Sequence, residues 1–462
     1  MNDLPRQELY KIFIQQGRSL LNNPQQCEEL LQSSCGDYRR EIFVLVQSLK
    51  EQIAVELMAA QEDESRKVLM NQLVKRLQDN LAFTEEAARW AVETRELITR
   101  AILNAESEKK AQSEVLIKEA MEKAGLLNPH NGETLVVSQQ GGGHYQTLRK
   151  ALKHAQPGMR ILVRPGFYRE NLVLDKAVEI AGDGPVSQII VESMEISCIT
   201  MGTDVAMVRG LTLQYKAASR NKRGYAVDIP QGQLVLEDCD ITSDFMASVA
   251  IHGSTANPIL RRCRIHDGKA GGILIWDNGR GIIEACDIHR NYHAGIEIKQ
   301  GGHPVIRQCK IHDGQAGGIF IWDNGRGTIE DCDIYRNAQL FLEEYDTTYT
   351  IRAGVSISAG GNPIIRRCKI RDGKASGIAV WDGGEGLIEE CEISGNSRAG
   401  VEIYGGGKPT LRRCKINRNG SVGVWAYKKP AGIIENCDLT KNLQGAWDIV
   451  GWSRLVRSGN KE

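Results

Sequence analysis

Nine cysteines set the frame for most of this chain. Cys263, Cys286, Cys309 and Cys332 follow one another at 23 residues, and Cys368, Cys391, Cys414 and Cys437 do so again. The step from Cys332 to Cys368 is 36, one period plus an insertion of 13, and Cys239 lies 24 before Cys263. A period of this length, sustained over so many units, predicts a solenoid in which each repeat buries its apolar face only against its neighbours. One unit reads Cys309-Lys-Ile-His-Asp-Gly-Gln-Ala-Gly-Gly-Ile-Phe-Ile-Trp-Asp-Asn-Gly-Arg-Gly-Thr-Ile-Glu-Asp331. It holds about three short β segments split by Gly and Asn turns, with no helical period. Parallel strands, one coil per repeat, follow. At ~4.8 Å between strands the nine coils rise roughly 40 Å.

Inward columns can be read down the coils. One is Ile273, Ile296, Ile319, Val355, Ile378, Val401 and Val424; a second is Ile275, Ile298, Ile321, Ile357, Val380 and Ile403. The cysteines fall between apolar positions, as in Ile306-Arg-Gln-Cys309-Lys-Ile311, and are expected to point inward as a ladder. Disulfides between rungs are not expected, because in-register Cβ atoms sit near the strand spacing and a disulfide needs ~3.5–4.5 Å. Zinc is not expected either, since it wants converging tetrahedral ligands rather than a line.

Outward positions alternate in charge from coil to coil. One column runs Glu237, Arg261, Glu284, Arg307, Glu330, Arg366, Glu389, Arg412, Glu435. Others run Asp240, Arg264, Asp287, Lys310, Asp333, Lys369, Glu392, Lys415, Asp438, and Asp267, Arg290, Asp313, Arg336, Asp372, lapsing at Gly395. Unlike charges on adjacent strands attract, each exposed pair by ~0.2–1 kcal/mol. A slip of one coil would stack like on like, so the effective repeat is two coils, or 46 residues. These carboxylates are explained by structure, not catalysis.

With those residues set out, the repeat resembles a right-handed parallel β-helix. It is most similar to the β-helix domain of F-box substrate receptors of ubiquitin ligases and of Shc SH2-domain-binding proteins, the carbohydrate-binding and sugar-hydrolase (CASH) type. The residues that carry the resemblance are Gly271-Gly-Ile-Leu-Ile-Trp-Asp-Asn-Gly-Arg-Gly281, Ala294-Gly-Ile-Glu-Ile298 and Gly301-Gly-His-Pro-Val-Ile-Arg307. It covers 240–440 strongly and 133–240 more weakly. Two departures stand out: Cys occupies a position where such families often place an inward Asn, and no F-box is recognisable, so ligase activity does not carry over. Residues 144–184 resemble the opening of pectin methylesterase-type β-helices, where an amphipathic helix caps the first coil against edge-to-edge pairing.

The first 132 residues are a different architecture. They hold four of the chain's 48 glycines, and Leu, Glu, Gln, Lys and Ala recur at helical spacing. Pro24 opens a second helix, stripes run over Ile42–Leu57 and Val68–Leu81, and Thr84 is the expected N-cap of the helix carrying Trp90, Val92, Leu97 and Ile98. The expected organisation is a helical bundle at 1–103, a helical linker at 104–132 and the β-helix at 133–442. A cap helix is placed at 144–156, an insertion loop at 338–350, and a cap or tail at 443–462.

Lys and Arg total 58, as do Asp and Glu, so bulk charge offers no hold on nucleic acid. No apolar run is long enough for a membrane span. The opening residues contain no signal-like apolar stretch, which with reduced cysteines leads to a cytoplasmic expectation.

Three features remain for function. The first is an aromatic column, Trp276, Trp322 and Trp381 with Tyr404 and Tyr427, each Trp followed by a turn-forming Asp277, Asp323 or Asp382. Lys299 falls between Trp276 and Trp322 as a cation–π sandwich. The two-coil Trp spacing, ~9.6 Å, suits stacking on alternate sugars or docking of a peptide. The second is the insertion, whose Phe341, Tyr345 and Tyr349 read as a contact loop. Between them runs the column Leu274, Glu297, Phe320, Ser356, Ala379, Glu402, Trp425. The third is His266, His289 and His312 in successive coils, continued by Tyr335 and Arg371 and therefore not read as a metal site. No cofactor motif is present. The expected function is a non-catalytic scaffold that binds a protein partner through this face, with the helical module as a second interaction unit and the solenoid ends open to self-association. The alternative is a carbohydrate-binding protein or a polyuronate-active lyase, hydrolase or esterase.

Overall fold

The computed structural model describes residues 1–16, 24–51, 53–59, 64–123, 134–219, 224–338 and 353–462. The chain divides into two compact units, Met1–Leu116 and Ile117–Glu462.

The first unit is built from α1 (Leu4–Gln16), α2 (Pro24–Cys35), α3 (Arg39–Lys50), α4 (Ile53–Ala59), α5 (Glu64–Leu81) and α6 (Glu85–Lys123). Leu9, Phe13, Leu31, Leu45, Leu57, Leu73 and Leu77 close its core. Thr84 caps α6 by accepting the Ala87 amide at 3.3 Å. The Ile42–Leu57 stripe is divided between α3 and α4, and α6 runs unbroken past residue 104. Arg95 is fully buried in this core and donates to the Ser48 hydroxyl at 3.2 Å and to the Leu45 carbonyl. Desolvation pushes the neighbouring Cys27 thiol up to about 11.

The second unit is a right-handed parallel solenoid of roughly 13 turns at about 23 residues each. Every turn adds one parallel strand to each of three sheets, of fourteen, twelve and eleven strands. Both predicted aliphatic columns point inward and are fully buried. The register pairs Arg261 with Glu284, Glu284 with Arg307, and Asp287 with both Arg264 and Lys310, as the alternating charges require. The short helix Leu148–His154, capped by Thr147, packs on the opening strands. Residues 443–462, expected as a cap or tail, supply the last strand of two sheets, Trp447–Ile449 and Arg454–Ser458.

Corners explain the turn residues. Asp267, Arg290, Asp313, Arg336 and Asp372 all stand at φ between 51° and 56°, and Gly395 continues the column at 66°. Left-handed backbone is costly for L-residues, so these corners are stacked where side chains can support one another. Arg290 grips Asp267, and Arg336 grips Asp313, each through two bonds of 2.7 Å.

Two inward ladders run beside the aliphatic columns. The cysteines form one, all free thiols and all buried. The other was not anticipated: Asn291, Asn337, Asn396, Asn419 and Asn442 are buried in the corner after the eleven-stranded sheet. Each asparagine satisfies backbone that the turn leaves unpaired. Asn337 Oδ1 accepts the Gly314 amide at 3.0 Å and its Nδ2 donates to the Ile311 carbonyl at 2.9 Å. Where one coil supplies Asn the neighbouring coil has Gly268, Gly314 or Gly373, since a Cβ there would sit 2.9–3.1 Å from the Asn Oδ1.

Candidate functional site

The aromatic column lies on the outer face of the twelve-stranded sheet, at the strand ends. Trp276 closes the strand Ile273–Trp276, in register with His252 on the preceding coil. The two rings stack with centroids 4.3 Å apart and planes at 12°. Tyr225 flanks Trp276 with centroids 6.3 Å apart. His252 is oriented by Asp228, whose Oδ1 lies 2.9 Å from Nε2. The other face of Trp276 looks along the column toward the coil of Lys299. Neither His252, Asp228 nor Tyr225 was singled out from sequence. The signal was present, because His252 occupies the Trp276 position one coil earlier in the 24-residue step.

Lys299 is held over Trp322, its Nζ 5.1 Å from the ring centroid and 3.2 Å from Glu297 Oε1. Trp322 Nε1 donates to the same Glu297 oxygen at 3.0 Å. Only half of the expected sandwich forms: Lys299 covers Trp322, while Trp276 takes His252 as its ring partner. A strip results in which an Asp–His pair and a Glu–Lys pair lie on either side of Trp276. All four polar groups are partly exposed.

Beyond Trp322 the rings stack on one another along the axis. Phe320, itself buried, lies against Trp322 at 5.7 Å and Trp381 at 6.1 Å. Trp381 and Tyr404 follow at 5.6 Å, then Tyr404 and Tyr427 at 5.0 Å, with planes within 5°. Their faces are covered by one another, so these rings cannot each lie flat under a sugar at two-coil spacing. Strand separation of ~4.8 Å already is ring-stacking distance, and that is the physical reason. Tyr427 donates to Glu402 at 2.8 Å, and Ser376 donates to the other Glu402 oxygen at 2.8 Å.

Asp277, Asp323 and Asp382 stand at φ 49°, 44° and 47°, in the left-handed corner after each Trp. Their presence is a backbone requirement that Asp meets better than most residues. Phe341, Tyr345 and Tyr349 lie outside the described residues, as does the insertion apart from its first residue, Ala338.

The histidine column sits on the eleven-stranded sheet. His266, His289, His312 and Tyr335 stack at 5.0, 5.1 and 4.6 Å. Both ring nitrogens of His266 face carboxylates, Asp240 at 2.9 Å and Asp267 at 2.6 Å, and His312 repeats this with Asp287 and Asp313. The Asp240 bond pushes His266 up. His289 between them is buried with Nδ1 unpartnered, and desolvation pushes it down to about 4. The nitrogens of His266 and His312 are thus committed to the ladder, and among the described residues no three His, Cys, Asp or Glu groups converge on a metal position. No described helix is long and apolar enough to cross a membrane.

Comparison with known proteins agrees with this architecture. The family model described as "Right handed beta helix region" matches residues 199–353 and 342–461. Among solved structures, a periplasmic alginate epimerase aligns at 13% identity, over 74% of this chain and 88% of that one, with a TM-score of 0.51. The catalytic domain of a GH87 α-1,3-glucanase aligns at 13% identity, over 72% and 70%, with a TM-score of 0.52. The A-module of a mannuronan C-5 epimerase of Azotobacter vinelandii aligns at 16% identity, over 68% and 92%, with a TM-score of 0.49. These findings overturn the expectation of a non-catalytic scaffold for a protein partner. The alginate epimerase and the glucanase share the fold with this chain at 13% identity each.

Proposed function

The chain belongs to the right-handed β-helix family, and from that premise we propose that it binds and acts on a polysaccharide along the outer face of the twelve-stranded sheet. The observation that carries the reading is the strip around Trp276. An aromatic ring lies between a histidine oriented by a carboxylate and a lysine oriented by a second carboxylate. A sugar seated over Trp276 has His252 at one side as proton acceptor, with Asp228 holding its tautomer and opposing the charge it gains. Lys299 on the other side meets an anionic or hydroxyl substituent. A carboxylate-bearing sugar uses both groups, which makes a polyuronate the first substrate class to test. The alginate epimerase and glucanase that share the fold support the same class.

The test uses the full chain with alginate, polygalacturonate and α-1,3-glucan. Binding is read by calorimetry and products by NMR and reducing-end assay. Binding of one polymer, lost in the Trp276→Ala/Lys299→Met double variant, supports the site. No binding to any of the three, or unchanged binding by the double variant, sinks it.

A further inference from the structure

The cysteine ladder has a chemistry that packing alone does not use. Cys239, Cys263, Cys286, Cys309, Cys332, Cys368, Cys391, Cys414 and Cys437 occupy the same inward position in consecutive coils, none more than 2% exposed. Successive thiols interact along the column. Each Sγ also donates to carbonyls, as Cys309 does to Ile283 at 3.4 Å and to Arg307 at 3.3 Å. The fold does not require a thiol for that task. One coil beyond Cys437, Asn460 stands in the same position and donates to the Ile434 carbonyl at 2.8 Å. Sulfur is nevertheless kept in nine consecutive coils.

We propose that this column binds soft monovalent cations, Cu(I) or its analogue Ag(I), in linear two-sulfur coordination between neighbouring rungs. Spacing is the first support. Two metal–sulfur bonds of about the zinc–sulfur length, ~2.3 Å, span ~4.6 Å, close to the ~4.8 Å strand repeat. Placement is the second. Every ladder thiol is buried inside the solenoid at the same position of its coil, so a metal between two rungs meets sulfur from the rung above and the rung below. Ligand number is the third. No three ligating groups converge among the described residues, which disfavours tetrahedral zinc, but a linear ion needs only two. Charge is the fourth. Each M⁺ that enters forms S–M bonds to the two rungs it lies between, while one S–H bond breaks and one proton leaves per metal, the partner sulfur being a neutral thiol or a thiolate shared with the next metal, so the apolar core gains no net charge and no redox change occurs. What is given up is a weak S–H donor bond. The end of the column by Cys437 is the point of entry, since Asn460 beside it is only half-buried.

The full chain is loaded by two routes: Ag(I) added to the folded protein, and expression in copper-supplemented culture. Native mass spectrometry counts retained metal, and X-ray absorption reads coordination. The expected result is several metals per chain with two sulfur neighbours each. A Cys286→Val/Cys309→Val/Cys332→Val variant should lose at least half of them while keeping its β-sheet circular dichroism. A Cys27→Ser/Cys35→Ser variant in the helical unit should retain the wild-type number. Should the triple variant not fold, Cys414→Val alone must still reduce the count. No retained metal by either route, or a count that ignores the ladder substitutions, overturns the proposal.

Discussion

His252 lies flat on Trp276, ring centroids 4.3 Å apart, while its Nε2 is 2.9 Å from Asp228. One residue therefore joins the aromatic surface to the acid–base pair of the proposed site. Trp276→Ala removes both a sugar-stacking face and the wall that fixes the imidazole. It is expected to weaken polysaccharide affinity about tenfold, a ring contact being worth ~0.5–1.5 kcal/mol. His252→Gln should leave calorimetric affinity within about threefold and reduce turnover by about a hundredfold or more, the usual scale of a proton-transfer role.

Glu297 collects Lys299 and Trp322 on a single oxygen. Glu297→Gln keeps the Trp322 bond and removes the charge that places the ammonium. An anionic polymer should then bind with altered salt dependence, measured as the slope of affinity against ionic strength, whereas a neutral glucan should not respond.

The histidine stack predicts an acid-side loss of stability. His289 is held near 4 when folded, against ~6.5 when unfolded, so the unfolded chain takes up its proton first. That stability is present above ~6.5 and is lost as pH falls through about 4. Asp313, held down to about 2 chiefly by Arg336, contributes stability above ~4 that is lost as pH falls toward about 2. His289→Tyr, a residue type that already stacks in this column at Tyr335, should flatten the slope between pH 6.5 and 4 by about 2 kcal/mol and leave the lower transition in place. Urea melts across that range provide the check.

Inner and outer ladders should differ in weight. Asn337→Ala strands a buried amide and a buried carbonyl and is expected to cost about 2–3 kcal/mol. Asp267→Ala breaks the two Arg290 bonds and the His266 contact at an exposed corner and should cost about 1 kcal/mol. Comparable losses in denaturant unfolding would contradict the assignment of the asparagines as the inner support.

Glycines in one coil should also separate into two kinds. A Cβ at Gly400 would meet Ile416 Cγ2 at 2.2 Å, inside the core, so Gly400→Ala should cost about 2–3 kcal/mol. Gly383 has φ 69° and open space around it, so Gly383→Ala carries only the left-handed penalty of about 1 kcal/mol. Thermal melts of the two variants distinguish steric from backbone cost.

Much of the solenoid could be read from spacing, because in a parallel coil a sequence period is a spatial column. Ile273 and Ile296 are neighbours in space since they are neighbours modulo the repeat, and the same holds for Glu284 and Arg307. The asparagine ladder escaped because its first members, Asn291 and Asn337, are 46 apart with Gly314 between them, and the one-coil step shows only over Asn396, Asn419 and Asn442. The Asp–His pair escaped for another reason. Asp228 and His252 occupy different columns of adjacent strands, and only side-chain reach brings Oδ1 to Nε2.

By itself, then, the sequence determined the periodic part of this protein: coil length, the inward columns, the two-coil charge alternation and the switch from helices to strands. Each depends on which residues repeat, and hydrophobic burial and like-charge repulsion act on every repeat alike. Only the tertiary structure decided which ring faces remain open, which corners are left-handed and which polar groups meet across columns. Rungs ~4.8 Å apart let rings stack on one another, and that closed the faces of Trp381 and Tyr404. Trp276 fell beside a histidine at one coil and a lysine at the next, and so became the centre of the proposed site.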